Sequence, residues 1–234
     1  MDFRISPAVL EQFPAISLGV IVVSNMDNAI PQTEITTLLR MAEQGVRNHL
    51  NPETFKEHPH LAAMQEIHRS FGSNPNKYPP SIQALIKRIL KGSSLPEINP
   101  LVDLYNIISL RSIVCVGAED TDRCIGDLEL TKAIGNEPFT PLGETKNDAP
   151  IPGELVYRDS EGIICRRLNW REGDRTKITE QTKNAVVVIE GFPPFTGEAL
   201  NTALNALAEL IRKYCKAETR IEVLTKEHAS CLIR

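Results

Sequence analysis

The sequence has no basic excess, no long apolar run and no paired-cysteine motif, and each absence removes a class of function. Lys and Arg number 26 against 30 Asp and Glu, for a net charge of −4. A protein that coats long nucleic acid carries a basic surplus. A local basic cleft is still allowed, because charges are felt over about 8 Å at physiological salt. The longest apolar run, Ile16 to Val23, is interrupted by Ser17 and Gly19 and falls far short of the roughly 20 residues needed to cross a bilayer. The opening Met1-Asp2-Phe3-Arg4 has no charged start leading into an apolar segment and a cleavage site, so no secretory signal is read and the cytoplasm is expected. The five cysteines (115, 124, 165, 215 and 231) form no C-x-x-C and read as reduced packing thiols. Also missing are G-x-S-x-G, G-x-x-x-x-G-K-S/T, H-E-x-x-H and G-x-G-x-x-G, as are internal repeats and low-complexity tracts.

With 41% apolar and 24% charged residues over 234 positions, the chain can build a substantial core. Ile16 to Val23, mostly β-branched, reads as a buried strand. A helix follows with Thr33 as its cap and Pro52 beyond its end, and another covers the region of Leu61 to His68. Gly72 to Pro80 is loop, and Ser81 caps a third helix that ends at Gly92. Past Pro100, a helix is expected over 101–110 and strands over 113–117, 128–133, 155–158, 163–168 and 185–190. An amphipathic helix after Gly197 and a strand at 221–224 complete the chain. Early helices, a β-rich middle and a late helix indicate an α+β fold. One unit, 1–234, is expected: a strand and helices in 1–95, a β-rich core in 96–195, and a helix and strand in 196–234.

Polar residues concentrate at Arg166-Arg-Leu-Asn-Trp-Arg-Glu-Gly-Asp-Arg175, which holds four arginines and the single tryptophan. Guanidinium forks bind phosphate or carboxylate, and an indole stacks on a base or ring; an exposed hairpin with solvated charges is equally compatible with the composition. A second basic cluster, Arg69, Lys77, Lys87, Arg88 and Lys91, lies partly in the last turns of the third helix, where cations are favourable anyway. His58-Pro-His60 reads as two surface histidines, without the further ligands a metal site needs.

Four segments then acquire a joint meaning: Asn99 to Leu110, Val116 to Asp122, Gly153 to Asp159 and Ile178 to Asn184. In order and spacing they resemble the B3/B4 domain of the phenylalanyl-tRNA synthetase β-subunit, in a free-standing form. The family pattern V-D-x-x-N matches Val102-Asp103-Leu-Tyr-Asn106, and eleven residues on, where the family has histidine, stands Gly117. The resemblance implies a three-layer fold, with mixed β-sheets or a sandwich flanked by helices. It also implies hydrolysis of the ester of a mischarged aminoacyl-tRNA by a positioned water, which needs no nucleophilic side chain.

Carried over on that resemblance, Asn106, the backbone of Gly117 and Ala118, Asn169 and Glu190 are the expected catalytic groups. Glu119, Leu168, Trp170 and Val188 are expected against the substrate. Glu119 or Glu190 would hold the α-ammonium or orient water. The ungapped counterpart of the family's pocket glutamate is Val188, and Glu190 shares its strand face if the strand is regular. Arg166, Arg167 and Arg171, with Arg69, Lys77 and Arg88, are expected to meet the aminoacylated 3′ end of tRNA. No metal, cofactor or membrane is implied, and nothing demands more than a monomer. A non-catalytic binding module using the same cleft, and a hydrolase of small esters or amides, are the competing readings.

Overall fold

The computed structural model describes residues 1–30 and 33–234. Its centre is a four-stranded antiparallel sheet. The two most apolar runs of the sequence become its inner strands, β2 (Ser17–Ser24) and β8 (Ala185–Gly191). All seven β8 residues are buried, as expected of a strand covered on both faces. β3 (Val116–Asp120) pairs with the far side of β8, and β9 (Glu218–Leu224) with the far side of β2.

The second sheet has six strands in the order β10-β1-β4-β5-β6-β7. These are β1 (Asp2–Ile5), β4 (Leu128–Lys132), β5 (Leu155–Arg158), β6 (Ile163–Arg166), β7 (Arg171–Glu172) and β10 (Ser230–Leu232). β1 and β4 run parallel and the other pairs antiparallel, so the sheet is mixed. The two sheets meet face to face where Tyr157 of β5 donates to Glu190 of β8 at 3.0 Å.

Helices α2 (Thr33–His49), α4 (Ser81–Leu90), α5 (Pro100–Ser112) and α6 (Gly197–Cys215) pack on one another, α5 and α6 also lie on the four-stranded sheet, and α1 (Pro7–Gln12) sits against β4. α3 (Pro59–Ser70) begins at His58, whose Nδ1 accepts from the His60 N–H. Asn99 caps α5, accepting from the Val102 N–H at 3.1 Å. The chain is thus α+β, with two sheets and a helical layer.

Several boundaries differ from the sequence-based expectation. Strands β1 and β10 and helix α1 are too short to carry a periodic signal. Ser81 is the first helical residue, and Pro80 occupies the cap position. Thr33 likewise opens its helix, and the position before it lies outside the described residues. α5 runs on to Ser112 and ends with Ile113 left-handed at φ 54°, so β3 starts at Val116 rather than Ile113. β6 stops at Arg166 because Arg167 and Leu168 both take positive φ, 50° and 66°.

Gly19 lets α6 seat on β2. A Cβ built there would lie 2.8 Å from the Cδ atoms of the fully buried Leu204. Gly19→Ala is therefore expected to lose about 1–3 kcal/mol through overpacking. Leu204→Ala should lose about 2–5 kcal/mol, and the double variant less than the sum, because the two changes share one space. Urea unfolding of the four proteins reads the coupling; strict additivity would show that the meshing is slack.

Candidate active site

The corner after β6 aims a polar side chain between the sheets. Glu154 is fully buried, and its carboxylate pairs with two consecutive arginines: Arg166 Nε at 2.8 Å and Arg167 Nη2 at 3.3 Å. Arg166 also binds Asp148 at 2.6 Å. With these two side chains pinned, the left-handed pair Arg167-Leu168 turns the chain, and Asn169 points at β8. Its Nδ2 donates to Glu190, and its Oδ1 accepts the Ser81 N–H at 3.3 Å, at the start of α4.

Asn169, Glu190 and Tyr157 border a cavity of about 30 Å³, with Glu119, Glu172 and Gly117 on other sides. A site needs about 10–15 Å³ to accept a water, so one or two waters fit and an amino-acid side chain does not. Leu168, completely buried, and Val188 fill the rest of the wall. A second cavity of about 310 Å³ adjoins it, sharing Ala118, Glu119 and Glu172.

Three carboxyls therefore face one small space. Burial pushes Glu190 up to about 8, against the pull of its Asn169 and Tyr157 hydrogen bonds, and the charge of Glu172 adds to the rise. Burial also raises Glu172, and Glu119 rises well above the usual carboxylate range by burial and then by the Glu172 charge. Glu172 Oε2 and Thr176 Oγ1 are buried with no hydrogen-bond partner among the described residues. Cys165 also lines the cavity, but burial and the neighbouring carboxyls hold it far from the thiolate form, so it is no nucleophile.

β3 is an edge strand. The Thr121 N–H donates toward β8, to Asn184, whereas the Asp120 N–H donates away from it, to Thr176. By that alternation the Ala118 N–H also faces the open edge, and the Gly117 N–H faces β8.

Of the residues singled out in the sequence, Gly117, Ala118, Glu119, Leu168, Asn169, Val188 and Glu190 line the inner cavity together. The regular β2–β8 register puts Val188 and Glu190 on one face. The others do not join them. Asn106 lines neither cavity; on α5 it is Val102 and Tyr105 that face the outer one. Trp170 packs edge-on against Tyr78, with ring centroids 4.7 Å apart, rather than forming a wall. The room left by Gly117 is taken by Glu172 Oε1, which would lie 2.9 Å from a Cβ there.

Arg166 and Arg167, expected on phosphate, are buried on Glu154, and Arg167 stacks on Tyr78 at 3.9 Å. Arg171 pairs with Glu144 at 2.5 Å, and Arg69 with Glu66. Arg88 donates to the Ser94 carbonyl at 3.0 Å, and Lys77 lies over the Tyr78 ring; these two and Arg69 remain exposed. Tyr157, Cys165 and Glu172 were not anticipated as site residues.

The family model of the B3/4 domain matches residues 63–216, from within α3 to just past α6, and so contains every residue of both cavities. The chain belongs to the B3/4 domain family. Among proteins similar to this B3/4 chain is the phenylalanine–tRNA ligase beta subunit of Mycoplasma genitalium, 30% identical over 80 residues. That stretch is 34% of this chain and 10% of the ligase subunit. Among solved structures, an N-terminal fragment of the phenylalanyl-tRNA synthetase beta-subunit from Pyrococcus horikoshii aligns with a TM-score of 0.48 at 13% identity. The alignment covers 93% of this chain and 50% of that fragment.

Two measurements test the site as built. Glu154→Gln leaves the buried Arg167 without its counter-charge and Arg166 with Asp148 alone, and should cost about 3–5 kcal/mol in urea unfolding; a loss under 1 kcal/mol would show that the corner stands without the pair. Glu190 is protonated in the folded protein at pH values where the unfolded chain has already ionised. Its contribution to stability is thus complete below the ordinary glutamate range and is lost as pH rises through about 8. Unfolding midpoints followed from pH 5 to 9 should fall, and Glu190→Gln should flatten part of that slope; identical slopes would place the titration elsewhere.

Proposed function

We propose that this B3/4 protein is a trans-acting hydrolase that cuts the ester between an amino acid and the 3′ end of tRNA. The observation that carries the proposal is the bonded set Asn169–Glu190–Tyr157 bordering a cavity of water size, with two further carboxyls beside it. The likeness to a tRNA ligase subunit supports the choice of tRNA, and the low reactivity of Cys165 supports direct attack by water.

In the proposed reaction Glu119 and Glu172 hold the α-ammonium of the aminoacyl group, and the ester carbonyl points to the inner cavity. Glu190 in its carboxylate form, whose share grows as pH rises toward 8, takes a proton from the water as the water oxygen bonds to the carbonyl carbon. A base with a pKa of about 8 is matched to work near neutral pH. The Ala118 N–H, on the open edge of β3, donates to the developing oxyanion. Collapse breaks the bond to the ribose oxygen, which takes the proton back from Glu190, and free amino acid and deacylated tRNA leave. Exposed Arg69, Lys77 and Arg88 meet the phosphates, in place of the buried Arg166 and Arg167.

A panel of mischarged tRNAs tests the proposal. At least one should be deacylated well above buffer. Asn169→Ala and Glu190→Ala should each slow the reaction tenfold or more, equivalent to about 1.4 kcal/mol or more of barrier, and kcat/KM should climb with pH toward 8 in the wild type but not in Glu190→Gln. No turnover of any ester by folded protein would sink the enzyme reading. Stabilisation by free amino acids alone would then favour a binding module.

A further inference from the structure

The inner cavity explains where water would sit, and it leaves the amino-acid side chain without a place. The outer cavity provides one. Its volume of about 310 Å³ is at the lower bound of ordinary small-ligand pockets, about 300 Å³. Its apolar wall is Ile98, just before α5, Val102 and Tyr105 on α5, Leu142 and Ile178, and its polar side carries Thr179 and Glu180. Ile98 and Leu142 are 47% and 45% exposed, so two large apolar side chains that could have been buried are left facing the space.

The junction sets the direction of entry. Ala118, Glu119 and Glu172 belong to both cavities. An α-carbon whose ammonium rests on Glu119 and Glu172 sits at that junction. When its carbonyl turns inward to the water, the inner cavity has no room for the side chain, and the outer one, toward Val102 and Leu142, has. Besides the two shared carboxyls, the charged residues on this wall are Lys177, already engaged by Asp174 at 2.9 Å, and Glu180, which is exposed to solvent at the rim.

We propose that the outer cavity receives the side chain of the aminoacyl group and selects apolar side chains of leucine or methionine size over very small ones. This rests on the deacylase reading for its substrate, but the subsite can be tested apart from turnover. Val102 is half-buried on the cavity side of α5, and Val102→Trp fills the space. Leu142→Ala widens it at a position too exposed to endanger the fold.

Val102→Trp should lower kcat/KM for leucyl- and methionyl-tRNA about tenfold relative to alanyl-tRNA, a ratio ordinary for a few buried methylenes. Leu142→Ala should shrink the leucyl-over-alanyl preference. In calorimetry with non-reactive probes, wild-type protein should bind leucinamide more tightly than alaninamide, and Val102→Trp should abolish the difference. If esters are cut but Val102→Trp slows all of them equally, and adenosine competes, the cavity holds the terminal nucleoside and the subsite proposal is wrong while the hydrolase stands. If no ester is cut yet leucinamide binds through Val102, the hydrolase fails and the subsite stands. Equal binding of the two amides overturns the subsite whatever the turnover.

Discussion

Glu154 gives its two carboxylate oxygens to consecutive arginines in a place no water reaches. A buried pair of this kind contributes little net energy beyond what an apolar substitute would, but it punishes any arrangement that separates the partners. It therefore works as a geometric constraint. With Arg166 and Arg167 both turned toward Glu154, the strand ends at Arg166, and the left-handed Arg167 and Leu168 reverse its direction. Asn169, Glu190 and Tyr157 meet because of that reversal, and the two sheets are joined across it.

The chemistry follows from the same enclosure. β8 is buried on both faces, so an acid on it meets a low-dielectric surrounding whichever way it points. Glu190 points to the other sheet, where Tyr157 and Asn169 supply two donors. Burial favours the neutral acid and the donors favour the anion; burial prevails and holds the group at about 8, within reach of proton transfer around neutral pH. Glu119 and Glu172, buried side by side, resist joint ionisation for the same reason.

Much of the architecture was legible in the residue order. β2 and β8 are continuous apolar runs and α6 has a clear helical period, and each formed close to its expected limits. The position of Glu190 followed from counting by two along β8. The arginine-rich stretch was misjudged for a physical reason: four guanidiniums in ten residues look solvated unless their counter-charge is known, and Glu154 lies twelve residues before Arg166 on the far side of a hairpin. Tyr157 and Glu172 were hidden because their meeting with β3 and β8 is a contact between sheets, which no local pattern records. Asn106 carried a family motif, but the turn of α5 presents its neighbours Val102 and Tyr105 to the outer cavity instead.

Arg167 and Leu168 occupy the left-handed region in succession, a conformation that side chains other than glycine, asparagine and aspartate resist. Such residues each store about 1–3 kcal/mol of local strain. Glycine would relax both positions, yet it would also free the backbone to swing and let the amide of Asn169 wander from its acid. The corner is thus a spring held shut by Glu154: drift toward a more comfortable sequence would blunt the aim of the site before it harmed the fold, and a gain in robustness would arrive as a loss of precision.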